Sequence, residues 1–315
     1  ALADWVREPV AVVAHRVVRM PSQAPAILRL DAAVQERIAA AGADAPLHDA
    51  RALRVVGLIA QLRPELPQFA VSDSAFHRTL GAAASTYALP RALTQAGFHR
   101  RGYHGLSHEY AAHRGCALAG LDIERSRVVT AHLGGGSSLC AIRNGRSIDT
   151  TMGYTPLEGL PMATRSGSVD PGLLVHLLRD GMTVDALDEM LERQSGLLGI
   201  SGFSGDVREL EAAHGDPDAK LALDVLAWRI RTSLGAMIAA LGGVDLLTFT
   251  GGIGEHAPGI RAAALEGGLG AAALLDPARN AASLEGRIDA AESGPAICVI
   301  TAREGWQLAR AVAGE

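Results

Sequence analysis

The stretch TAHLGGGSSLCAIRNGRSIDTTMGYTPLEGLPMATRSGSVDPG, residues 130–172, combines many glycines and small polar residues with almost no bulk. It begins inside the apolar run RVVTAHL (127–133), which reads as a strand, and continues through SSLCAIR and SIDTT, a second strand pair joined by Asn144 and Gly145. Asn-Gly between alternating runs is a strong hairpin signal. Gly134, Gly135 and Gly136 therefore fall in a tight turn between two strands. Backbone amides there converge on an anion with no Cβ in the way, which describes a phosphate cradle carried by a hairpin. A second glycine segment of the same kind, TGGIGE (250–255), follows the apolar run VDLLTF and precedes the helical pattern APGIRAAALEGG. Helix N-termini also attract phosphate. Two tight turns without a ligand are the plain alternative.

Outward from this segment the chain alternates short β-branched runs with alanine- and leucine-rich helical patterns, the mark of α/β architecture. AVVAHRVV (11–18) and QFAVS (68–72) read as strands, with DAAVQERIAAAG and DARALRVVGLIAQLR as helices between them. GLSHEYAAHRGCALAG is helical, as is the long apolar segment 218–243, which feeds a strand at 244–250. PAICVIT (295–301) is the last strand, and a short helix follows it.

The 315 residues, 48% hydrophobic and 4% aromatic, exceed a typical single domain and suit two globular units. A net charge of −5, with arginines spread along the chain, gives no basic stripe for nucleic acid or a membrane surface. Cys116, Cys140 and Cys298 form no CxxC pair, so buried thiols in a reducing compartment are expected, and the cytoplasm fits. The chain has no run of eighteen apolar residues, and ALADWVREPV lacks the pattern of a signal peptide. No GxxxxGK[ST] occurs, and the glycines do not open a helix as in a dinucleotide fingerprint. His108 and His113 in SHEYAAH are five apart, about 140° around a helix, which does not suit a zincin pair. TRSGS lacks a nucleophile elbow.

RRGYHGLSH (100–108), AHLGGGSSLCAIRNGRSIDTTMGYTPLEGLPMATRSGSVDP (131–171), SGLLGISGFSGDVRELE (195–211) and TGGIGEHAPGIR (250–261) resemble, in order, the signatures of acetate kinases and related short-chain acyl kinases. The resemblance runs from about residue 9 to the C-terminus. It implies two ribonuclease-H-like domains of the actin, sugar-kinase and Hsp70 type, with a nucleotide held between them. The expected division is 1–74 plus 305–315 for the N-terminal domain and 75–304 for the nucleotide-binding and dimerisation domain. It further implies a homodimer, Mg²⁺ or Mn²⁺, and reversible transfer of the γ-phosphoryl of ATP to a carboxylate such as acetate.

By the same resemblance, Arg16 and Arg165 match the family's two active-site arginines, residue types suited to bidentate contact with carboxylate and phosphoryl oxygens. His104 matches the histidine that hydrogen-bonds the phosphoryl group, and Asp73 and Glu304 the acidic pair near the metal. The nucleotide positions are His132, Leu133, Gly134, Gly135 and Gly136; Asp206, Val207 and Arg208; and Gly252, Ile253, Gly254, Glu255 and His256. Asp206 would meet a ribose hydroxyl and Arg208 the base. Val18, Leu47, Tyr103 and Pro156 match a small apolar pocket for the acyl group, with Tyr103 replacing the usual phenylalanine and so favouring a narrower pocket or a more polar acid.

Besides Tyr103, the sequence departs from the family in four places. HGG after HRVV becomes RMP, and the cradle's asparagine is Gly135. His256 replaces another asparagine, and nothing resembles an opening strand with an NCGSSS-type turn. The first domain is therefore expected to be incomplete at its N-terminus and the chain weakly active or inactive. The alternative is a non-catalytic relative or truncated product that keeps the dimeric fold, with nucleotide binding left open.

Overall fold

The computed structural model describes residues 10–18, 20, 24–41, 46–270, 272–282, 284–290 and 294–313, with the side chains of 41, 46–51 and 268 outside the description. The chain divides into two units. Residues 1–76 and 303–315 form the first, and residues 77–302 the second.

In the first unit β1 (Val13–Val17), β2 (Ile27–Arg29) and β3 (Gln68–Ser72) form a sheet in the order β1-β3-β2. β1 runs parallel to β3 and β2 antiparallel to it. β3 is buried at all five positions because it is the central strand and takes a neighbour on each side. β2 was not legible as a strand: three residues between Pro25 and Asp31 carry no period. Two helices, α1 (Ala32–Ala41) and α2 (Pro46–Leu62), connect β2 to β3, and the C-terminal helix Glu304–Val312 packs on β1 and β3. Val17, Met20, Ala24, Ile38 and Ala70 make the core.

The second unit carries six strands: β4 (Arg127–Leu133), β5 (Ser137–Arg143), β6 (Arg146–Thr150), β7 (Leu246–Thr250), β8 (Gly286–Arg287) and β9 (Ala296–Val299). Their order is β6-β5-β4-β7-β9-β8. β4, β7 and β9 are parallel, β5 and β6 form an antiparallel meander on one side, and β8 is antiparallel on the other. The β5–β6 turn has positive φ at both Asn144 (53°) and Gly145 (72°), the two-residue geometry that Asn-Gly favours.

Period-two alternation sorts the sheet into two faces. Val129, Ala131, Leu133, Leu139 and Ala141 join Leu226, Ile230, Leu234 and Leu241 of the 25-residue helix Pro217–Leu241 in the main core. Thr130, His132 and Ser138 point the other way, toward α3 (Gly105–Ala119). The long helix starts at Asp216, which caps it, and ends at Gly242 in the left-handed conformation.

One expectation needs correction. TGGIGE is not a loop turn before a helix: Gly251–His256 is itself a short helix that follows β7. Gly251 makes the junction with φ +80°, and a Cβ there would stand 2.6 Å from the Leu133 carbonyl oxygen. Only glycine lets β7 pass that close to the end of β4.

Candidate active site

In the second unit the two glycine segments meet. A cleft of about 620 Å³ is lined by Gly134, Gly135, Asp206, Arg208, Gly252 and His256 among others. Val207 and Ile253 complete the predicted positions found there, and Ala163, Gly205, Glu211 and Ala257 line it without having been singled out in the sequence. The cradle is narrower than the glycine run suggests. Gly134 N–H donates to the Gly136 carbonyl at 3.1 Å, closing the turn on itself. Asp206 caps the helix Val207–Ala212 through Arg208 N–H and pairs with the Arg208 guanidinium at 2.5 Å. The hydrogen bond from that guanidinium brings the Asp206 carboxyl down to about 2.

Other predicted nucleotide positions serve the fold. Leu133 belongs to the core, and Gly254 and Glu255 are buried. Glu255 Oε1 accepts from Ala302 N–H at 3.0 Å, while the carbonyls of Gly254 and Glu255 accept from the fully buried Arg261 at 2.8 and 2.9 Å. Arg261 is anchored in turn by Asn280, and burial lowers it to about 10. His132 is turned inward, with Nδ1 2.8 Å from Ser107 Oγ.

Next to the glycine turn stands His104, the N-cap of α3, held at φ 57° and ψ 27° in the left-handed region. A non-glycine residue held there is strained, a feature that clusters at functional sites. Its ring stacks on His132 with centroids 4.3 Å apart, and its Nδ1 lies 2.9 Å from Ser138 Oγ. A Cβ built on Gly136 would lie 3.2 Å from His104 Nε2 and 3.6 Å from Arg165 Nη1, so the histidine and the arginine both flank that glycine. Arg165 is 18% exposed and is held by the Pro156 carbonyl at 3.2 Å and by Glu192 at 3.3 Å. Burial pushes the Glu192 carboxyl upward against the pull of Arg165. Nothing in the sequence marked Glu192, which lies 27 positions from its partner.

Tyr103 corrects a second expectation. Its side chain is 1% exposed, and its O–H donates to the Tyr154 carbonyl at 2.6 Å. That donor is engaged within the fold and does not favour a polar acid.

The first unit brings together a separate group. Arg16, on β1, places Nη1 2.6 Å from Glu304 Oε2 and 3.9 Å from Asp73 Oδ1. Parallel pairing sets this up: Asp73 follows β3 directly, its N–H donating to the Val17 carbonyl at 3.0 Å. Glu304 opens the C-terminal helix. Val18 directly follows β1 and is half-buried; Leu47 lies in α2 with its side chain outside the described residues.

A family model, the Acetokinase family, matches residues 4–310. The chain belongs to the acetokinase family. It is 44% identical over 310 residues to an acetate kinase of Synechococcus sp., covering 95% of this chain and 75% of the relative. It is 46% identical over 308 residues to one from Gloeobacter violaceus, covering 96% and 76%. Among solved structures, Porphyromonas gingivalis acetate kinase superimposes with a TM-score of 0.91 at 36% identity, covering 98% of this chain and 79% of that one. A propionate kinase from Francisella tularensis gives 0.92 at 36% identity, covering 98% and 82%. The fold is therefore that of the actin, sugar-kinase and Hsp70 type, and the acetokinase family consists of phosphotransferases with a carboxyl acceptor. All three cysteines of this family member are free and buried. Among the described residues no helix is long and apolar enough to cross a membrane.

Proposed function

We propose that this chain phosphorylates a short-chain carboxylate, acetate foremost, at the expense of ATP, reversibly and as a homodimer in the cytoplasm. The observation that carries the reading is the placement of His104 Nε2 and Arg165 Nη1 on either side of Gly136, in the same turn whose Gly134 and Gly135 line the cleft with Asp206, Arg208 and Gly252. A nucleotide in that cleft, adenosine toward Asp206 and Arg208 and phosphates toward the glycines, puts its terminal phosphate beside a donor and a cation. A carboxylate oxygen attacks the γ-phosphorus, the bond to the β–γ bridging oxygen breaks, and ADP leaves with the electron pair. Little covalent work falls to the protein: catalysis is positioning and stabilisation of charge on the equatorial oxygens. His104 and Arg165 supply those contacts, and Arg16 binds the carboxylate or the phosphoryl group in bidentate fashion. Val18, Leu47, Tyr103 and Pro156 are the positions that the family resemblance assigns to the acyl group.

Asp73 and Glu304 fit magnesium as hard oxygen donors. Magnesium takes one or two carboxylates together with phosphates and waters, and these two side chains would supply the carboxylates. When bound, Mg²⁺ or Mn²⁺ neutralises charge on the phosphates. Arg16, paired with both carboxylates, holds them in place meanwhile.

The exposed Leu173, Val175, Leu178, Val184 and Trp228 support the homodimer, since apolar surface of this kind is covered in assemblies. The test of the reaction is incubation with MgATP and a panel of short carboxylates, trapping acyl phosphate with hydroxylamine. Acetyl or propionyl hydroxamate is expected. Nucleotide binding without any hydroxamate would instead favour the non-catalytic relative.

A further inference from the structure

Behind His104 runs a chain of buried polar atoms that the reaction above does not use. Ser138 Oγ lies 2.9 Å from His104 Nδ1 and 2.7 Å from His108 Nε2, and His108 Nδ1 lies 2.6 Å from Thr130 Oγ1. Ser138, His108 and Thr130 are all fully buried. His108 sits one helical turn after His104 on α3, which brings both rings over the same sheet face. Burial, together with His77 and His132 nearby, drives the His108 ring well below the ordinary histidine range. It is therefore neutral, with one N–H and one lone pair.

A neutral ring in the middle leaves two ways to satisfy the chain. In one, Thr130 O–H donates to His108 Nδ1, His108 Nε2–H donates to Ser138, and Ser138 O–H donates to His104 Nδ1. A neutral His104 then carries its proton on Nε2. In the other, every bond is reversed and His104 Nε2 is a bare lone pair. Phosphoryl oxygens only accept, so a neutral His104 binds one only in the first arrangement. Nε2 is the atom that lies against the Gly136 turn.

We propose that Thr130 and His108 are positioning residues which, through Ser138, hold His104 as the Nε2–H tautomer and so present a donor to the transferring phosphoryl group. The inference rests on the phosphotransfer reading for its purpose, but the tautomer is measurable without turnover. Orientation of one ring by the hydrogen bond on its other nitrogen is a general device of histidine chemistry.

The experiment is long-range ¹H–¹⁵N NMR of histidine-labelled protein at pH 8, with His104 assigned from a His104→Asn sample. The wild-type protein is expected to show His104 protonated at Nε2 and bare at Nδ1. Thr130→Val, which keeps the side-chain volume and removes the hydroxyl, should give a tautomer mixture. It should also lower kcat for acyl phosphate formation roughly tenfold with KM for ATP within about twofold, as loss of one aligned donor in the transition state implies. Thr130→Ser should restore both. A wild-type His104 protonated at Nδ1, or a Thr130→Val protein with the wild-type tautomer, would overturn the proposal; the first result needs no variant to fold. A tautomer that shifts as expected in a protein that makes no acyl phosphate would reject the reaction and leave the positioning chain standing.

Discussion

At the residue scale, Arg165 is the group on which the phosphotransfer account depends most. Its guanidinium is mostly enclosed, tied to Glu192 and to the Pro156 carbonyl, and beside His104 at Gly136. A preorganised charge of this kind, aimed at the equatorial oxygens, contributes mainly in the transition state. Arg165→Ala is expected to lower kcat by about 10²-fold or more with an unchanged circular dichroism spectrum; turnover within a few-fold of wild type would remove Arg165 from its role. Gly135 offers a gain-of-function counterpart. It lies in the cleft wall with open space around its Cβ position and a φ outside the left-handed region, so a side chain fits. Gly135→Asn restores the amide expected from the family pattern. It should tighten ADP about tenfold, the effect of one hydrogen bond to a charged phosphate, measured by calorimetry. Unchanged or weaker binding would place the phosphates elsewhere.

At the element scale, the site depends on β7 ending hard against β4. Gly251→Ala puts a Cβ 2.6 Å from the Leu133 carbonyl at a φ of +80°. The strain should destabilise the protein by roughly 2 kcal/mol or more in urea unfolding and weaken ADP as well, because Gly252 and His256 follow on the same short helix. A neutral substitution would mean that the junction relaxes freely. Much of this scaffold was legible: QFAVS, RVVTAHL and SSLCAIR are strands over the residues read, and Asn144-Gly145 is the turn between β5 and β6, because each is fixed by local period or turn chemistry. The helical nature of TGGIGE was not legible, since its glycines argue for a turn and glycine is a poor helix former. Arg261, Glu192 and the Ser138 link were equally hidden. Asn280 lies 19 positions from Arg261, Arg165 lies 27 from Glu192, and Ser138 reaches back 30 and 34 positions to His108 and His104, so no local pattern encodes these links.

At the scale of the whole molecule, buried histidines make the fold sensitive to acid. Burial pushes His77 down to about 4 and His108 well below the ordinary range. Below pH 6.5 the unfolded chain takes up protons that the folded one refuses, so stability is complete above that pH and falls progressively toward pH 4. His77 alone accounts for about 2 kcal/mol by pH 5. Urea unfolding between pH 7.5 and 5 should show that loss or more, and a flat profile would mean that the rings titrate normally or become exposed.

Phosphoryl transfer to a carboxylate by this chain is tested most directly by ³¹P NMR of the protein with MgATP and acetate, run in parallel with Arg165→Ala. The wild-type sample should lose the γ-phosphate signal while acetyl phosphate and ADP appear in equal amounts, and the variant should do so about 10²-fold more slowly or not at all. Release of inorganic phosphate alone, or ATP that stays intact while calorimetry shows it bound, would contradict the account.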